Sequence, residues 1–405
     1  MPVRHCMKHA RRIFQAGSLA FTLWAVFVLG SNAERWCPFG GVEAVYTYAT
    51  EGNLVCSLGI SNFYILGAVI LTVLLLRRAF CGYACPIGTI SEWLGALASR
   101  SGLRARRASP KLDRILSLGK YLVLAAILAA TWQLGELVFR GYCPAYALLS
   151  RHGPDITFRA YVVAGGILVA SLLVTIPFCR WLCPLAAVFN PFSRFGLGRI
   201  KRDEAACLRC GRCAESCPMA IPVDQLPQVT VSRCLSCLNC IYVCPKDKQQ
   251  ALFWGPPNRL GRAWPPATVA VVLLLCGGAA VAAAYLAPMP SYVKSRGIRP
   301  DQIAVVELRI QGLTCRGRAS LLVSFLERDD MYRIPGPSAD APGYYRLEAW
   351  PDPNKAVLRV SFDPKAADKE VITRAIVEPY YDMSQNRWWM SPFLIDDYSI
   401  PTLGQ

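Results

Sequence analysis

The chain is poor in histidine and lacks nucleotide-binding motifs. Only three of its 405 residues are histidines, His5, His9 and His152, and none lies within a long apolar run. A haem held by two histidines inside a bilayer is therefore excluded. Neither a GxGxxG nor a Walker sequence occurs, so these nucleotide sites are missing too. We therefore do not expect a stand-alone enzyme that transfers hydride.

Charged residues are also few. They make up 18% of the chain, apolar residues make up 54%, and the mean hydropathy is +0.31. This balance excludes a disordered chain, a small secreted scaffold and a plain soluble enzyme. It indicates an integral membrane protein that has lipid as a partner.

Five apolar runs free of charge predict transmembrane helices, because a span needs about 20 residues. The third run is short, but it extends to Ile115 if Lys120 reaches the lipid headgroups. The predicted runs are 13–33, 52–76, 121–135, 160–178 and 263–287.

The basic residues predict the orientation of these spans. The N-terminus and segments 77–114 and 179–262 carry net charges of +4, +6 and +7, which account for the whole net charge of +17. Basic loops stay in the cytoplasm, so we expect these segments inside and 34–59, 136–159 and the chain after 288 outside. Because the excess charge is explained by topology, nucleic acid is not an expected partner. An alternative for the first 33 residues is a cleaved signal peptide.

Eight cysteines form two identical runs, Cys207 to Cys217 and Cys234 to Cys244, each with the spacing C-x2-C-x2-C-x3-C-P. This is the pattern of bacterial ferredoxins with two [4Fe-4S] clusters, in which the fourth cysteine of each run binds the other cluster. Zinc is the alternative, but it favours separate CxxC pairs. The predicted ligand sets are Cys207, Cys210, Cys213 and Cys244 for one cluster, and Cys234, Cys237, Cys240 and Cys217 for the other.

Two C-x3-C-P pairs, Cys81/Cys85 and Cys179/Cys183, follow the second and fourth apolar runs. Cysteines four residues apart share one face of a helix. Both pairs lie at the predicted cytoplasmic ends of spans, so helix packing can bring four thiols together to bind an additional iron–sulfur cluster. The alternative is four buried free thiols.

An internal repeat links these pairs to two earlier cysteines. Cys37-Pro38 precedes Cys85 by 48 residues, and Cys143-Pro144 precedes Cys183 by 40. Two such units facing each other would bring Cys37 and Cys143 together on the outer side. A disulfide and a redox site both remain open for this pair. Cys56 is an alternative partner for either, whereas Cys6 and Cys276 have no expected role, the latter being buried in the fifth span.

The region after residue 291 predicts a soluble α+β domain with the ferredoxin-like order βαββαβ. Its predicted elements are strand 304–310, helix 318–328, strands 344–350 and 356–362 joined through Asp352-Pro353-Asn354, helix 368–377 and a strand within 393–398. The predicted domains are a four-helix membrane domain at 1–198, a cytoplasmic two-cluster ferredoxin domain at 199–262, the fifth span at 263–290 and an extracytoplasmic α+β domain at 291–405.

The order of the cysteine motifs in residues 13–255 resembles the NapH/NosR class of membrane polyferredoxins. The resemblance implies electron transfer between the quinone pool or a cytoplasmic donor and a redox partner across the bacterial inner membrane. The fifth span and the outer domain are absent from simpler members. With them the architecture resembles that of FixG/CcoG proteins, which are linked to copper reduction during oxidase assembly.

The outer domain carries two further motifs. Gly312-Leu313-Thr314-Cys315 resembles the start of a heavy-metal-associated domain, but Arg318 stands where a second cysteine is usual. A metal-free docking module is therefore expected. Trp388, Trp389 and Met390 form either a patch facing a partner or part of the core.

Three hypotheses follow from the sequence. The first is a membrane electron-transfer protein, a component of an oxidoreductase system that uses quinol or a cytoplasmic donor. The second is a metal reductase or a maturation factor for an extracytoplasmic metalloenzyme, and the third is a membrane scaffold with structural clusters. Four basic residues are expected near the clusters, either to offset thiolate charge and attract an acidic donor or for orientation alone: Arg209, Arg212, Arg233 and Lys246.

Overall fold

The chain divides into two compact units, one of Met1–Gly41 and Ser61–Ala283, the other of Val42–Ile60 and Ala284–Gln405. The computed structural model describes residues 2–28, 37–51, 61–102, 109–134, 138–149, 157–245, 251–257, 263–287, 290, 292–313, 316–328, 343–350, 356–382 and 386–395.

Helices dominate the chain before residue 290. A 3-10 turn at Val138–Tyr142 and a π-helical turn at Phe178–Leu182 interrupt them. The α-helices are α1 Pro2–Phe27, α2 Pro38–Glu51, α3 Ser61–Leu76, α4 Ala79–Tyr83, α5 Pro86–Arg100, α6 Pro110–Leu116, α7 Gly119–Leu134, α8 Pro144–Leu149, α9 Phe158–Leu173, α10 Pro184–Phe195, α11 Arg212–Glu215, α12 Asn239–Val243 and α13 Ala267–Leu286.

Each predicted span contains a helix: α1, α3, α7, α9 and α13 respectively. Within the described residues, Lys111–Gln133 and Ala267–Leu286 are long and apolar enough to cross a membrane, and α3 and α9 are shorter apolar helices. Parts of the first two predicted spans, 29–36 and 52–60, lie outside the described residues.

The expected position of Lys120 is wrong. Its side chain is only 6% exposed and is covered by protein, so it does not extend outward towards headgroups. The helical stretch instead starts earlier, in α6, and continues after a turn at residues 117–118.

The ferredoxin-like part of the first unit is a small module closed by two antiparallel strands. Strand β1 Arg199–Arg202 pairs with β2 Leu252–Gly255, and Ile200 lies opposite Trp254. Both side chains are buried in one apolar cluster that also contains four ferredoxin cysteines, with Cys217 and Cys244 packed against it. The strands thus join the two ends of the segment that carries both cysteine runs.

The second unit contains the α+β domain. Its elements after residue 290 are β3 Tyr292–Arg296, β4 Ala304–Gln311, α14 Arg316–Leu326, β5 Tyr345–Trp350, β6 Ala356–Phe362, α15 Lys369–Val377, β7 Tyr380–Asp382, β8 Arg387–Trp389 and β9 Leu394–Ile395.

Five of these strands form one antiparallel sheet in the order β3-β5-β6-β4-β9. Alternate residues of β4 and β6 are buried, as expected for a sheet with one covered face. Both helices contribute to the same core. The succession β4-α14-β5-β6-α15-β9 has the order read from the sequence, whereas β3 and the β7–β8 hairpin are additions. The connection at 352–354 lies outside the described residues.

Candidate metal centre

The first cavity of the ferredoxin module is lined by cysteines from both runs: Cys207, Cys210 and Cys213 of the first and Cys244 of the second. Cys213 is buried, whereas Cys210 is exposed, so one side of the cavity lies at the surface. These four residues are the set that the spacing predicts for one cluster. We call them the first set.

The second cavity is lined by Cys217 of the first run and by Cys234, Cys237 and Cys240 of the second. The three cysteines of the second run are buried. These four residues, the second set, are those predicted for the other cluster. The cavity therefore lies deeper in the protein than the first one.

Left-handed residues at matching positions shape the two cysteine loops. Arg209 and Ser236, two residues after the first cysteine of each run, have φ of 49° and 48°, and Gly211 and Leu238, two residues later, have φ of 72° and 59°. This backbone region is costly for residues other than glycine, but alternating it with right-handed residues turns N–H groups towards an anion. The amide of Arg209 accordingly donates to Cys207 Sγ at 3.5 Å.

The ferredoxin cysteines must lose protons when they bind a cluster. Burial raises the pKa of Cys213 to about 11, and it raises the pKa of Cys237 to about 12 although Arg11 opposes it. Such thiols are protonated at neutral pH, so metal binding must release protons.

Among the described residues, no three His, Cys, Asp or Glu side chains are arranged to hold a single metal ion. Four soft donors spaced around a cavity fit a cluster better than one zinc ion.

Each C-x3-C-P pair lies across a break between helices. Cys81 belongs to α4 and Cys85 precedes α5, while Cys179 lies in the π-helical turn and Cys183 precedes α10. The prediction that each pair shares one helical face is therefore wrong. The physical reason is the following proline, which fits the first turn of a new helix but cannot continue an old one.

The two breaks have the same backbone geometry. The amide of Cys85 donates to the carbonyl of Phe80 at 3.0 Å, and the amide of Cys183 donates to the carbonyl of Phe178 at 2.8 Å. Each bond spans five residues. The sequence repeat is therefore also a structural repeat.

The four C-x3-C-P thiols lie close enough to affect one another's ionisation. Burial raises the pKa of Cys179 well above its ordinary value, and Cys85, Cys183 and Cys81 raise it further. Burial likewise raises the pKa of Cys81, with additional effects of Cys85 and Cys183. The helix breaks thus bring these residues, which we call the third set, into one group, in which Cys179 is buried and the other three are half-buried.

A buried arginine joins the second set to the helices. Arg11 of α1 forms an ion pair with Glu92 of α5 at 2.6 Å and donates to the carbonyl of Gly82 at 2.9 Å. It also donates to Asn239 Oδ1 at 3.2 Å, and Asn239 lies in the loop of the second cysteine run. Sequence reasoning missed this contact because Arg11 was counted only as an orientation signal.

Asp113 forms a second buried network. Its carboxylate accepts hydrogen bonds from Arg180 at 2.5 Å, Arg233 at 2.6 Å and the Trp181 indole at 2.9 Å. Arg180 lies inside the second C-x3-C-P pair, and Arg233 directly precedes Cys234. Arg233 is near the cysteines as expected, and Asp113 fixes its position.

We expect Asp113→Asn to destabilise the protein by about 3–5 kcal/mol, because two arginines, one of them buried, would lose their carboxylate. The thermal midpoint of the purified full chain in detergent measures this effect. Glu204→Gln is the control: Glu204 is 60% exposed in its pair with Arg202, so its loss should cost at most about 1 kcal/mol. Equal midpoints for the two variants would contradict the network's importance.

Cys37 and Cys143 also lie close to each other. Burial raises the pKa of Cys143, and the next contribution comes from Cys37. The rings of Phe39 and Phe139, which flank this pair, have centroids 4.6 Å apart.

Other candidate residues have less to contribute. Cys276 is partly exposed in α13, contrary to the expected burial, because the face of α13 that carries it is not covered. Trp388 and Met390 are exposed, whereas Trp389 packs against the core of the α+β domain.

Of the basic residues expected near the clusters, Arg209 is exposed on the first cysteine loop and Arg212 begins α11. The predictions for Cys56, His152, Lys246 and Cys315, and for the side chain of Cys6, lie outside the described residues.

Comparison with known families agrees with this arrangement. Residues 58–104 and 156–203 each match the family of 4Fe-4S binding domains, and residues 199–245 match the 4Fe-4S dicluster domain. Each of the first two matches contains one C-x3-C-P pair, and the third contains both ferredoxin runs. No solved structure is significantly similar to this chain.

Several characterised sequences are also similar. YccM of Escherichia coli is 32% identical over 52% of this chain, which spans 61% of that relative. The ferredoxin-type protein NapH of Escherichia coli is 28% identical over 55% of this chain and 80% of its own length. The methylamine utilization ferredoxin-type protein MauN of Paracoccus denitrificans is 28% identical over 51% and 74%, respectively. The chain is therefore similar to ferredoxin-type proteins such as NapH and MauN, and it contains regions that match 4Fe-4S binding domains.

Proposed function

We propose that the protein is a membrane-bound electron carrier that connects a quinol or a cytoplasmic donor with a redox partner on the opposite side of the membrane. The observation that carries this proposal is the presence of three cysteine sets in one compact unit, of which the first is partly exposed and the other two are buried or half-buried. Iron–sulfur clusters supply one-electron chemistry when bound. The protein would hold the clusters at fixed positions relative to one another and would determine which of them a redox partner can reach.

The first set is suited to exchange electrons with a soluble partner. Cys210 is exposed, and Leu208 beside it is 59% exposed. Arg209 is exposed in the same loop, so the surface around this set is basic as well as accessible. An acidic ferredoxin or flavodoxin matches that surface.

The second and third sets are joined by direct backbone contacts. The amide of Arg78, three residues before Cys81, donates to the carbonyl of Cys234 at 3.3 Å. Arg77 donates through its side chain to the carbonyl of Val231 at 2.7 Å. These contacts support a short path for electrons between the second and the third set.

We infer that the third set binds a [4Fe-4S] cluster. Cys179 is buried and Cys81, Cys85 and Cys183 are half-buried, and thiolates are the usual ligands of such clusters. Cys85 and Cys183 each stand at the N-terminus of a helix, α5 and α10 respectively. The partial positive charge of a helix N-terminus favours the thiolate form that a metal requires.

The membrane arrangement is part of the proposal. The helices in the five apolar runs and the distribution of basic residues support a multi-pass protein with the ferredoxin module in the cytoplasm. An odd number of spans would leave the C-terminal α+β domain outside. We propose that this domain is a docking module. The alternative of copper reduction or metalloenzyme maturation depends on Cys315 and stays a prediction.

We propose that Cys37 and Cys143 form a redox-active pair. Reduction of a disulfide between them would take up two electrons and two protons and give two thiols. After reduction by dithionite, both cysteines should react with maleimide in samples that are quenched with acid, denatured and returned to neutral pH, and after oxidation by ferricyanide neither should, as read by mass spectrometry. Cys37→Ser should leave Cys143 reactive in both states. A bond that resists dithionite would instead indicate a structural disulfide.

Electron transfer by the full chain can be tested in liposomes that enclose ferricyanide. Reduced ferredoxin or a short-chain quinol is added outside in separate experiments. We expect ferricyanide reduction with at least one donor, at a rate that exceeds protein-free liposomes tenfold or more. No increase with either donor would contradict the proposed function and favour a scaffold with structural clusters.

A further inference from the structure

Two adjacent arginines are buried where α3 ends. Arg77 is 0% and Arg78 is 1% exposed. Arg77 has a left-handed backbone, with φ of 61°, and this residue turns the chain from α3 towards Cys81. Burial of a guanidinium is costly unless its charge is compensated.

Arg78 has only neutral hydrogen-bond acceptors around its side chain. Its Nη2 atom donates to the carbonyl of Ala186 and to Asn190 Oδ1, both in α10. Its Nε atom is buried and has no acceptor. Within the described part of the chain no carboxylate pairs with it, in contrast to Arg11 and Arg180.

The groups that can carry the missing negative charge are cysteines. Arg78 lies three residues before Cys81, and the Ala186 carbonyl that accepts from its side chain lies three residues after Cys183. Burial lowers the pKa of Arg78, and Cys81, Cys183 and Cys179 oppose this decrease. They come from both C-x3-C-P repeats, and Arg78 itself bridges the repeats because it lies in one and is bonded to α10 of the other. The side chain thus belongs to the third set as its cation.

We propose that Arg78 is the counter-cation of the third set and raises the reduction potential of the cluster bound there. This inference rests on the proposed third cluster. Four thiolates leave a [4Fe-4S] cluster with a net negative charge, and reduction adds another electron. A buried positive charge therefore stabilises the reduced state more than the oxidised one.

Arg78 acts as a positioning and electrostatic residue, not as a ligand. Its bonds to α10 fix the guanidinium beside the thiols of both repeats. A lysine at this position keeps the charge, whereas a glutamine keeps much of the size and loses the charge. These two substitutions separate the electrostatic effect from packing.

The test is an anaerobic redox titration, followed by EPR, of the full chain in detergent. The third signal is the one lost in Cys81→Ser/Cys183→Ser protein. In Arg78→Gln protein we expect the one-electron equilibrium of the cluster that gives this signal to shift at least tenfold towards the oxidised state. This shift is a fall of about 59 mV or more in its midpoint potential. Arg78→Lys should stay within about threefold of the original protein. Arg209→Gln, which removes an exposed arginine at the first set, should likewise leave the third signal within about threefold.

Each result separates this inference from the proposed function. If the unmodified protein holds only about eight irons, the third cluster itself is refuted. If about twelve irons are present and Arg78→Gln leaves the midpoint unchanged, or Arg78→Lys shifts it equally, the role of Arg78 is refuted. If Arg78→Gln loses about four irons and Arg78→Lys keeps them, the charge is required to hold the cluster. Loss in both variants would show that packing, not charge, matters at this position.

Discussion

Replacement of Cys217 by alanine should remove the EPR signal of the second set and leave that of the first. Cys217 belongs to the first run in the sequence, but it lines the cavity that contains Cys234, Cys237 and Cys240. The amide of Ile221 donates to its sulfur at 3.5 Å, which fixes the thiol on that side. Loss of one of four ligands should lower the iron content by up to about four atoms per chain.

The reciprocal variant gives the control for this prediction. Cys244→Ala should affect the same signal as Cys210→Ala, because both residues line the first cavity. Cys217→Ala and Cys240→Ala should in turn give matching spectra. If Cys217→Ala instead resembles Cys210→Ala, each run holds its own cluster and the cross-pairing is wrong.

The second large effect concerns the third set. In protein with Cys81→Ser and Cys183→Ser, iron should fall from about twelve to about eight atoms per chain, and acid-labile sulfide should fall in parallel. One thiol is removed from each C-x3-C-P pair, so neither repeat alone can complete the four ligands. Cys276→Ser is a matched control, because Cys276 lies in α13 away from the cysteine sets. Unchanged iron in the double variant would mean that the four residues are buried free thiols.

The cysteine spacing alone predicts the two groups of four residues that line the two cavities of the ferredoxin module. Their spacing fixes which thiols can converge, because a short C-x2-C-x2-C loop can surround only one cluster and the Cys-Pro that follows directs the chain to the other. Charge-free apolar runs were equally informative, since a helix satisfies backbone polar groups where water is absent. Accordingly, each predicted span contains a helix.

The third set could be predicted only in part. Periodicity assumes a continuous helix, whereas Pro86 and Pro184 each begin a new one, so the gathering of the thiols depends on backbone breaks. Arg78 was missed because an arginine after an apolar run normally faces the cytoplasm, and charge counting cannot distinguish a surface arginine from a buried one. Its position three residues before Cys81 was the available signal.

In the α+β domain the alternating strands were predictable, but β3 was not. Lys294 and Arg296 make it polar, and it is formed by pairing with β5 at the sheet edge. The β7–β8 hairpin likewise depends on tertiary contacts, such as that of the Tyr380 ring with the Phe325 ring of α14, whose centroids are 6.3 Å apart. Short strands of this kind have too little local pattern to be read from sequence.

We propose that all three cysteine sets hold redox-active iron–sulfur clusters. The most direct test is to measure iron, acid-labile sulfide and the EPR signals of the anaerobically purified full chain before and after stepwise reduction with dithionite. We expect about twelve irons and twelve sulfides per chain, and three EPR signals that appear at separate potentials. Iron-free protein, or clusters whose oxidation state never changes over the accessible range, would contradict it.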